Sequence, residues 1–348
     1  MEKSNAAEKT PLVEAVGLKK YFKISRKKLL HAVDDVNFRV FPGETLGLVG
    51  ESGCGKSTVG NVVMRLHEPT AGKVLYEGRN IFDLTGDEAA KIRQRMQIVF
   101  QDPYSSLNPR KTIRKILSEP FEIHAKEYTG QSKLKLVKDL CDTVEIPHNL
   151  LELYPHELDG GMRQVVGIAR ALSLKPKFIV CDEPVSSLDV SVQARIINLL
   201  IDLQKRDNYS YLFISHDLSV VRHISNRIAV MYLGQIIETA ETDELFKNTM
   251  HPYSIALLSA VPRVDVDRQV NRIVLKGDVP SPINPPKGCR FAPRCWMAKE
   301  ECLKGQVDTT LEEVSPGHFV ACPFAREAMQ KAEKAARNKK AIENARNI

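Results

Sequence analysis

Residues 50–58 read Gly50-Glu51-Ser52-Gly53-Cys54-Gly55-Lys56-Ser57-Thr58, a fit to G-x-x-x-x-G-K-[ST]. The glycines let successive backbone N–H groups curl around phosphate oxygens, and a helix starting here adds the positive end of its dipole. Lys56 is set to reach β- and γ-phosphates, and Ser57 to ligate Mg²⁺. Further on, the apolar run Phe178-Ile179-Val180-Cys181 ends in Asp182-Glu183. Asp182 would hold Mg²⁺, directly or through water, and Glu183 stands where it can polarise an attacking water. His216 follows another strand-like run and occupies the position of a γ-phosphate sensor. Phosphoryl transfer asks little of a protein beyond such positioning and charge neutralisation.

These groups need a sheet to carry them. Val36 to Val40 alternates apolar and polar residues, and Thr45 to Val49 reads as a buried strand entering the phosphate loop. A helix is predicted near Lys56 to Leu66 and short strands over 96–100, 178–181, 211–214 and 228–232. Apolar residues at 192, 196, 199, 200 and 203 make a helical stripe over 190–205. From about Pro103 to Leu174 the pattern is helical, with no convincing strand. This alternation predicts an α/β fold with a largely parallel sheet. From about Pro262 the composition turns to Pro, Gly and Cys (DVPSPINPPKGCRFAPRC), which predicts a separate small unit. The final residues, rich in Ala, Lys and Glu, are expected as a helix or a frayed tail.

Length and composition narrow the function classes. With 348 residues, 43% hydrophobic and 27% charged, the chain is globular rather than disordered. Its longest apolar run, Ile228 to Leu233, is six residues, against about 20 for a membrane span. The N-terminus lacks the basic-then-apolar build of a signal peptide, so a cytoplasmic location is expected. The net charge of +7 is local: residues 19–28 carry +6 and residues 326–348 carry +4, leaving −3 elsewhere. Two solvated clusters fit this distribution better than a nucleic-acid or lipid-headgroup face, so no nucleic-acid partner is expected. Seven cysteines in a reducing compartment argue against structural disulfides. Cys289, Cys295, Cys302 and Cys322 fall close together but lack the tight C-x2-C pairs of zinc ribbons; free buried thiols and a metal site both remain open.

In order and spacing, these motifs resemble the nucleotide-binding subunit of an ATP-binding-cassette (ABC) transporter over about residues 12–260. The resemblance implies a P-loop NTPase with a RecA-like core sheet, an antiparallel β subdomain and a helical subdomain at about 103–175. It makes Tyr21 the adenine-stacking aromatic and Gln101, in VFQDPYSSLNP, the Q-loop residue near ATP and Mg²⁺. Leu158-Asp159-Gly160-Gly161-Met162-Arg163-Gln164 is similar to the signature segment and Ser187-Leu188-Asp189 to the D-loop, both facing the nucleotide of a second subunit. His216 becomes the switch histidine.

A narrower resemblance, carried by FQDPYSSLNPR, YPHEL, CDEPVSSLDVSVQA, MYLGQIIE, HPYSIALLSAVP and PSPINPPKGC, is to the oligopeptide/dipeptide importer group and its F-type component. It implies an importer-type C-terminal domain at 261–325, a basic tail at 326–348, and ATP-driven import of di- and oligopeptides. Relatives carry oligosaccharide, nickel or glutathione. The implied partners are a homologous second ATPase subunit, two transmembrane permeases and an extracytoplasmic binding protein, with this chain peripheral on the cytoplasmic face of the membrane. In such importers the four cysteines can hold a [4Fe–4S] cluster. Two positions depart from the family: Asp159 replaces the usual serine, and Met162 the usual glutamine, as it also does in peptide-importer subunits. A carboxylate at 159 would meet the partner's γ-phosphate with like charge, which predicts one impaired composite site and gives some weight to a mainly regulatory subunit; intact Glu183 and His216 weigh against that. A soluble ABC ATPase of DNA repair or translation would bring a second cassette or a long coiled coil, and the sequence has neither.

Overall fold

A computed structural model describes residues 10–125, 127–260 and 273–346. The strands along the chain are β1 (Val13–Ser25), β2 (Lys28–Val40), β3 (Thr45–Val49), β4 (Ala71–Tyr76), β5 (Arg79–Asn80), β6 (Met96–Val99), β7 (Phe178–Asp182), β8 (Ser210–Ser215), β9 (Arg227–Tyr232), β10 (Gln235–Glu241), β11 (Glu312–Ser315) and β12 (His318–Val320). They form two sheets. One is antiparallel, in the order β2-β1-β4-β5; the other runs β11-β12-β10-β9-β3-β8-β7-β6.

The large sheet is parallel from β9 through β3, β8 and β7 to β6. Strands β3, β7 and β8 are buried along their whole length, as expected for parallel strands covered on both faces. Val59, Val62 and Val63 of the helix Lys56–Val63 join Leu18, Val33 and Val36 of the antiparallel sheet in one core layer. A second layer joins Ile196 and Leu200 of the helix Val190–Asp207 to Val165 and Ile168 of the helix Gly160–Leu172. Between β6 and β7 the described residues form helices at Pro103–Ser106, Ile113–Ile123, Lys133–Thr143 and Gly160–Leu172, and no strand.

Two regions differ from the sequence expectation. The basic run at 19–28 is the outer half of the β1–β2 hairpin, exposed from residue 23 onward; its solvated lysines mask the alternation that marks a strand. The C-terminal segment does not stand apart. Strand β12 pairs with β10 (Glu238↔Val320, Thr239↔Phe319), and Leu30 bridges to Ile283. The composition change at Pro262 lies outside the described residues. The chain closes with the helix Ala325–Arg346.

Candidate active site

The phosphate loop runs from the end of β3 to the helix Lys56–Val63, against Met231 of β9 and Ala32 of β2. Its glycines are steric requirements: a Cβ on Gly50 would stand 2.2 Å from the Met231 carbonyl oxygen. One on Gly55, where φ is +111°, would stand 2.0 Å from the Ala32 carbonyl oxygen. Lys56 is buried and its Nζ donates to the carbonyls of Gly50 (2.9 Å) and Glu51 (3.0 Å). Ser52 to Thr58, Gln101 and Glu183 line an open cleft, closed on the other side by Phe22, Leu30, His31 and Pro282.

The carboxylates come from the end of β7. Ser57 donates its hydroxyl to Asp182 at 2.9 Å, across 125 residues of sequence. Burial raises the Asp182 pKa and the neighbouring Glu183 charge adds to it, while the Ser57 hydrogen bond and Lys56 oppose them. Glu183 has a left-handed backbone (φ +44°), unusual for a non-glycine residue. Its N–H donates to the Ile214 carbonyl of β8 (2.9 Å). One carboxylate oxygen, Oε2, accepts from Gln101 Nε2 at 3.1 Å and lies 3.2 Å from His216 Nδ1. Three residues far apart in sequence thus meet at one oxygen beside the phosphate loop.

Gln101 is fastened to the helical region. Asp102 caps the helix Pro103–Ser106, the guanidinium of Arg163 lies over the Tyr104 ring at 3.9 Å, and Arg170 donates to the Ser106 carbonyl. The short helix after Gln101 is thus linked to the helix Gly160–Leu172.

Asp159, Gly160, Gly161, Met162 and Asp189 do not line the cleft. Asp159 caps the helix Gly160–Leu172, accepting from the Met162 N–H at 2.7 Å, and is exposed. Asp189 caps the helix Val190–Asp207 in the same way, through the Val192 N–H at 3.0 Å. The two helix starts pack closely: a Cβ on Gly161 would stand 2.5 Å from Val192 Cγ1, and one on Gly160 3.3 Å from Leu188 Cδ2.

Tyr21 is placed differently from its expected role. Its ring packs on His31 (centroids 4.1 Å apart) and its hydroxyl is tied to Asp34, which also binds Arg290. The neighbouring Phe22 and His31 face the cleft instead. Pro282 comes from the C-terminal segment, anchored by the His31 N–H on its carbonyl (3.0 Å). No local pattern marked Phe22, His31 or Pro282 as site residues; only the pairing of β1, β2 and the distant segment brings them together.

The seven cysteines are free thiols. Cys289, Cys295, Cys302 and Cys322 are each partly buried. The expected [4Fe–4S] ligand set is nevertheless not assembled: no group of three or more His, Cys, Asp or Glu side chains among the described residues could hold a metal ion. The donor chemistry fits and the convergence does not. Burial pushes the thiols up, Cys295 to about 11 and Cys322 to about 12.

Comparison with known proteins agrees with this architecture. Residues 33–186 match the ABC transporter family, and residues 237–302 the oligopeptide/dipeptide transporter C-terminal region. The oligopeptide transport ATP-binding protein AppF of Bacillus subtilis is 51% identical over 328 residues, covering 91% of this chain and 98% of AppF. The dipeptide transport ATP-binding protein DppF of Haemophilus influenzae is 47% identical over 320 residues, covering 90% of this chain and 97% of DppF. Among solved structures, a dimeric ATP-binding cassette in a post-hydrolysis state with ADP and Pi superposes with a TM-score of 0.60 at 29% identity, over 66% of this chain and 98% of that one.

Proposed function

Because this chain belongs to the ATP-binding subunits of oligopeptide and dipeptide ABC transporters, we propose that its ATPase cycle drives import of di- and oligopeptides through a membrane complex. The observation that carries the reading is the meeting of Gln101 and His216 on one oxygen of Glu183, next to Lys56 and Ser57.

Lys56 and the loop N–H groups bind and orient the β- and γ-phosphates. Ser57 and Asp182 are the hard oxygen pair suited to Mg²⁺, with Gln101 nearby. When bound, Mg²⁺ supplies neutralisation of the phosphate charge. Glu183 takes the proton of the attacking water, and Gln101 and His216 hold Oε2 so that the other oxygen can face that water. His216 is the group that senses the γ-phosphate. At the base end we assign the packing wall to Phe22 and His31, with Tyr21 behind them.

The signature and D-loop residues, Asp159 to Met162 and Asp189, lie away from the chain's own cleft, which supports a head-to-tail pairing in which they complete the nucleotide site of a homologous subunit. Asp159 brings a carboxylate to that partner site and impairs it, while this chain's own Glu183 and His216 remain available. Closure of the pair pulls on two permeases through Gln101 and the helices tied to it; hydrolysis resets the pair. Substrate arrives from an extracytoplasmic binding protein. No helix among the described residues is long and apolar enough to cross a membrane; contact with the permeases would hold the chain at the cytoplasmic face.

Cys289, Cys295, Cys302 and Cys322 would be the residues to hold a [4Fe–4S] cluster, as four thiolates are the ligand set such a cluster requires. Anaerobically purified protein would be brown, with near-stoichiometric iron and acid-labile sulfide, and residues 280–325 would loosen when any of the four becomes serine. Colourless protein carrying zinc or no metal would contradict this.

Reconstitution with the permeases, the second ATPase and the binding protein in proteoliposomes tests the transport reading. ATPase activity and uptake should respond to binding protein loaded with di- or oligopeptides. Stimulation by nickel, glutathione or an oligosaccharide alone would overturn the cargo, and absence of ATP-dependent uptake would overturn the machine.

A further inference from the structure

Glu51 puts a carboxylate into the phosphate loop. A negative side chain beside a triphosphate weakens binding unless another group cancels it, and the effect grows in a partly dehydrated site. The cancelling group comes from the C-terminal segment. Arg294 grips Glu51 with two prongs, Nη1 to Oε2 at 2.8 Å and Nη2 to Oε1 at 3.1 Å. The Arg294 side chain is 9% exposed and that of Glu51 27%, so water screens the pair only in part.

The pair leads directly to the phosphate-binding lysine. The Glu51 carbonyl accepts from Lys56 Nζ (3.0 Å), and the Glu51 N–H donates to the Tyr253 hydroxyl (3.0 Å). Arg294 ends the short turn Ala292–Arg294, which is seated by Phe291 against Tyr232 and Tyr253 at 5.2 and 5.4 Å between ring centroids. The same turn starts beside Arg290, which binds Asp34 and the Leu233 carbonyl, next to the far wall of the cleft.

We propose that Arg294 is a positioning residue of the ATP site: it neutralises Glu51 and turns its carboxylate away, so that the loop offers Lys56 and backbone N–H groups to the triphosphate. The C-terminal segment is thereby part of the nucleotide site as well as an extension of the sheet. This inference rests on reading residues 50–58 as the phosphate loop.

Steady-state ATP hydrolysis by the assembled transporter tests it. Arg294→Ala should raise KM for ATP by about tenfold with kcat changed far less, because the uncancelled carboxylate opposes binding rather than chemistry. Arg294→Lys should recover part of the loss, since an ammonium restores charge without the planar fork. The double variant Arg294→Ala/Glu51→Gln should recover most of it, because the repelling charge is gone. If Arg294 only held the fold together, the double variant would be no better than Arg294→Ala; that result, or an unchanged KM in Arg294→Ala, overturns the proposal. Where Arg294→Ala does not assemble, Arg294→Gln carries the same comparison. Lys56→Ala examines the underlying reading separately: ATP binding that survives it would overturn the phosphate loop, not the role of Arg294.

Discussion

His216 Nδ1 lies 3.2 Å from Oε2 of Glu183, with the imidazole side chain 53% exposed and the carboxylate side chain 11% exposed. The carboxylate is held inside while the imidazole that meets it reaches the surface. Glu183 also has a left-handed backbone at a strand end, a conformation that persists only where surrounding bonds over-determine it. Here those bonds are the Glu183 N–H to Ile214, Gln101 and His216.

Loss of the imidazole should therefore affect turnover more than binding. His216→Ala should cut ATP hydrolysis by about 100-fold while nucleotide affinity, read with a fluorescent ATP analogue, stays within about threefold, because Lys56 and the loop are untouched. An equal loss of affinity and turnover would place His216 in binding instead.

Asp159 offers a clean probe of the second-subunit contact. Aspartate and serine are both good helix N-caps, so Asp159→Ser keeps the bond to the Met162 N–H and changes little but charge. Nucleotide trapping at the partner's phosphate loop should rise, with this chain's own site nearly unchanged. Equal effects at both sites, or a loss of activity, would contradict the head-to-tail assignment.

Motif residues were legible because their chemistry forces a local pattern. Gly50, Gly55 and Lys56 are fixed by close backbone approach and charge, and Asp182-Glu183 by an apolar strand that must stop at the site. The buried strands β3, β7 and β8 showed as apolar runs for the same reason. What escaped depended on long-range pairing. The basic residues 19–28 conceal β1, β12 joins the sheet only by meeting the distant β10, and Pro282 reaches the cleft and Arg294 reaches Glu51 through contacts with no local signature. Tyr21 lies one residue from Phe22 and packs on His31, both of which line the cleft, and the cross-strand pairing that sets which ring lines it has no local signature.

The packing of the two helix starts predicts a strong steric effect. Gly161→Val would drive a branched side chain into Val192, whose Cγ1 lies 2.5 Å from the position of even a Cβ. Overpacking of this kind costs about 1–3 kcal/mol. Thermal unfolding should fall by several degrees, and ATP-driven pairing with the second subunit, measured by cross-linking, should drop further than the melting shift explains. Wild-type pairing in Gly161→Val would show that these helix starts do not meet the partner.

Two buried histidines give stability opposite pH limits. Burial holds His251 neutral, its pKa pushed down from 6.5 to about 3. The unfolded chain therefore binds a proton that the folded chain refuses, and stability falls as pH drops from about 6.5 toward 3, by at most about 1.4 kcal/mol per pH unit. For His318, burial opposes the charged form, but the Glu238 and Glu244 carboxylates outweigh it and its pKa stands above 6.5. Its contribution is full below 6.5 and is lost as pH rises through the folded value. In thermal melts across pH, His251→Asn should flatten the acid-side decline and His318→Gln the loss above the folded pKa. Parallel curves for wild type and variants would show that neither histidine controls these limits.

The most direct test of the catalytic assignment is Glu183→Gln in the assembled transporter, followed by both ATP binding and ATP turnover at this chain's own site. Glutamine keeps the size and hydrogen bonding of the side chain but cannot take a proton from water. ATP should bind with near-normal affinity and be retained unhydrolysed, with turnover at this site reduced by about 100-fold or more. Wild-type hydrolysis at this site in Glu183→Gln would contradict the role of Glu183 and, with it, the mechanism built around Gln101 and His216.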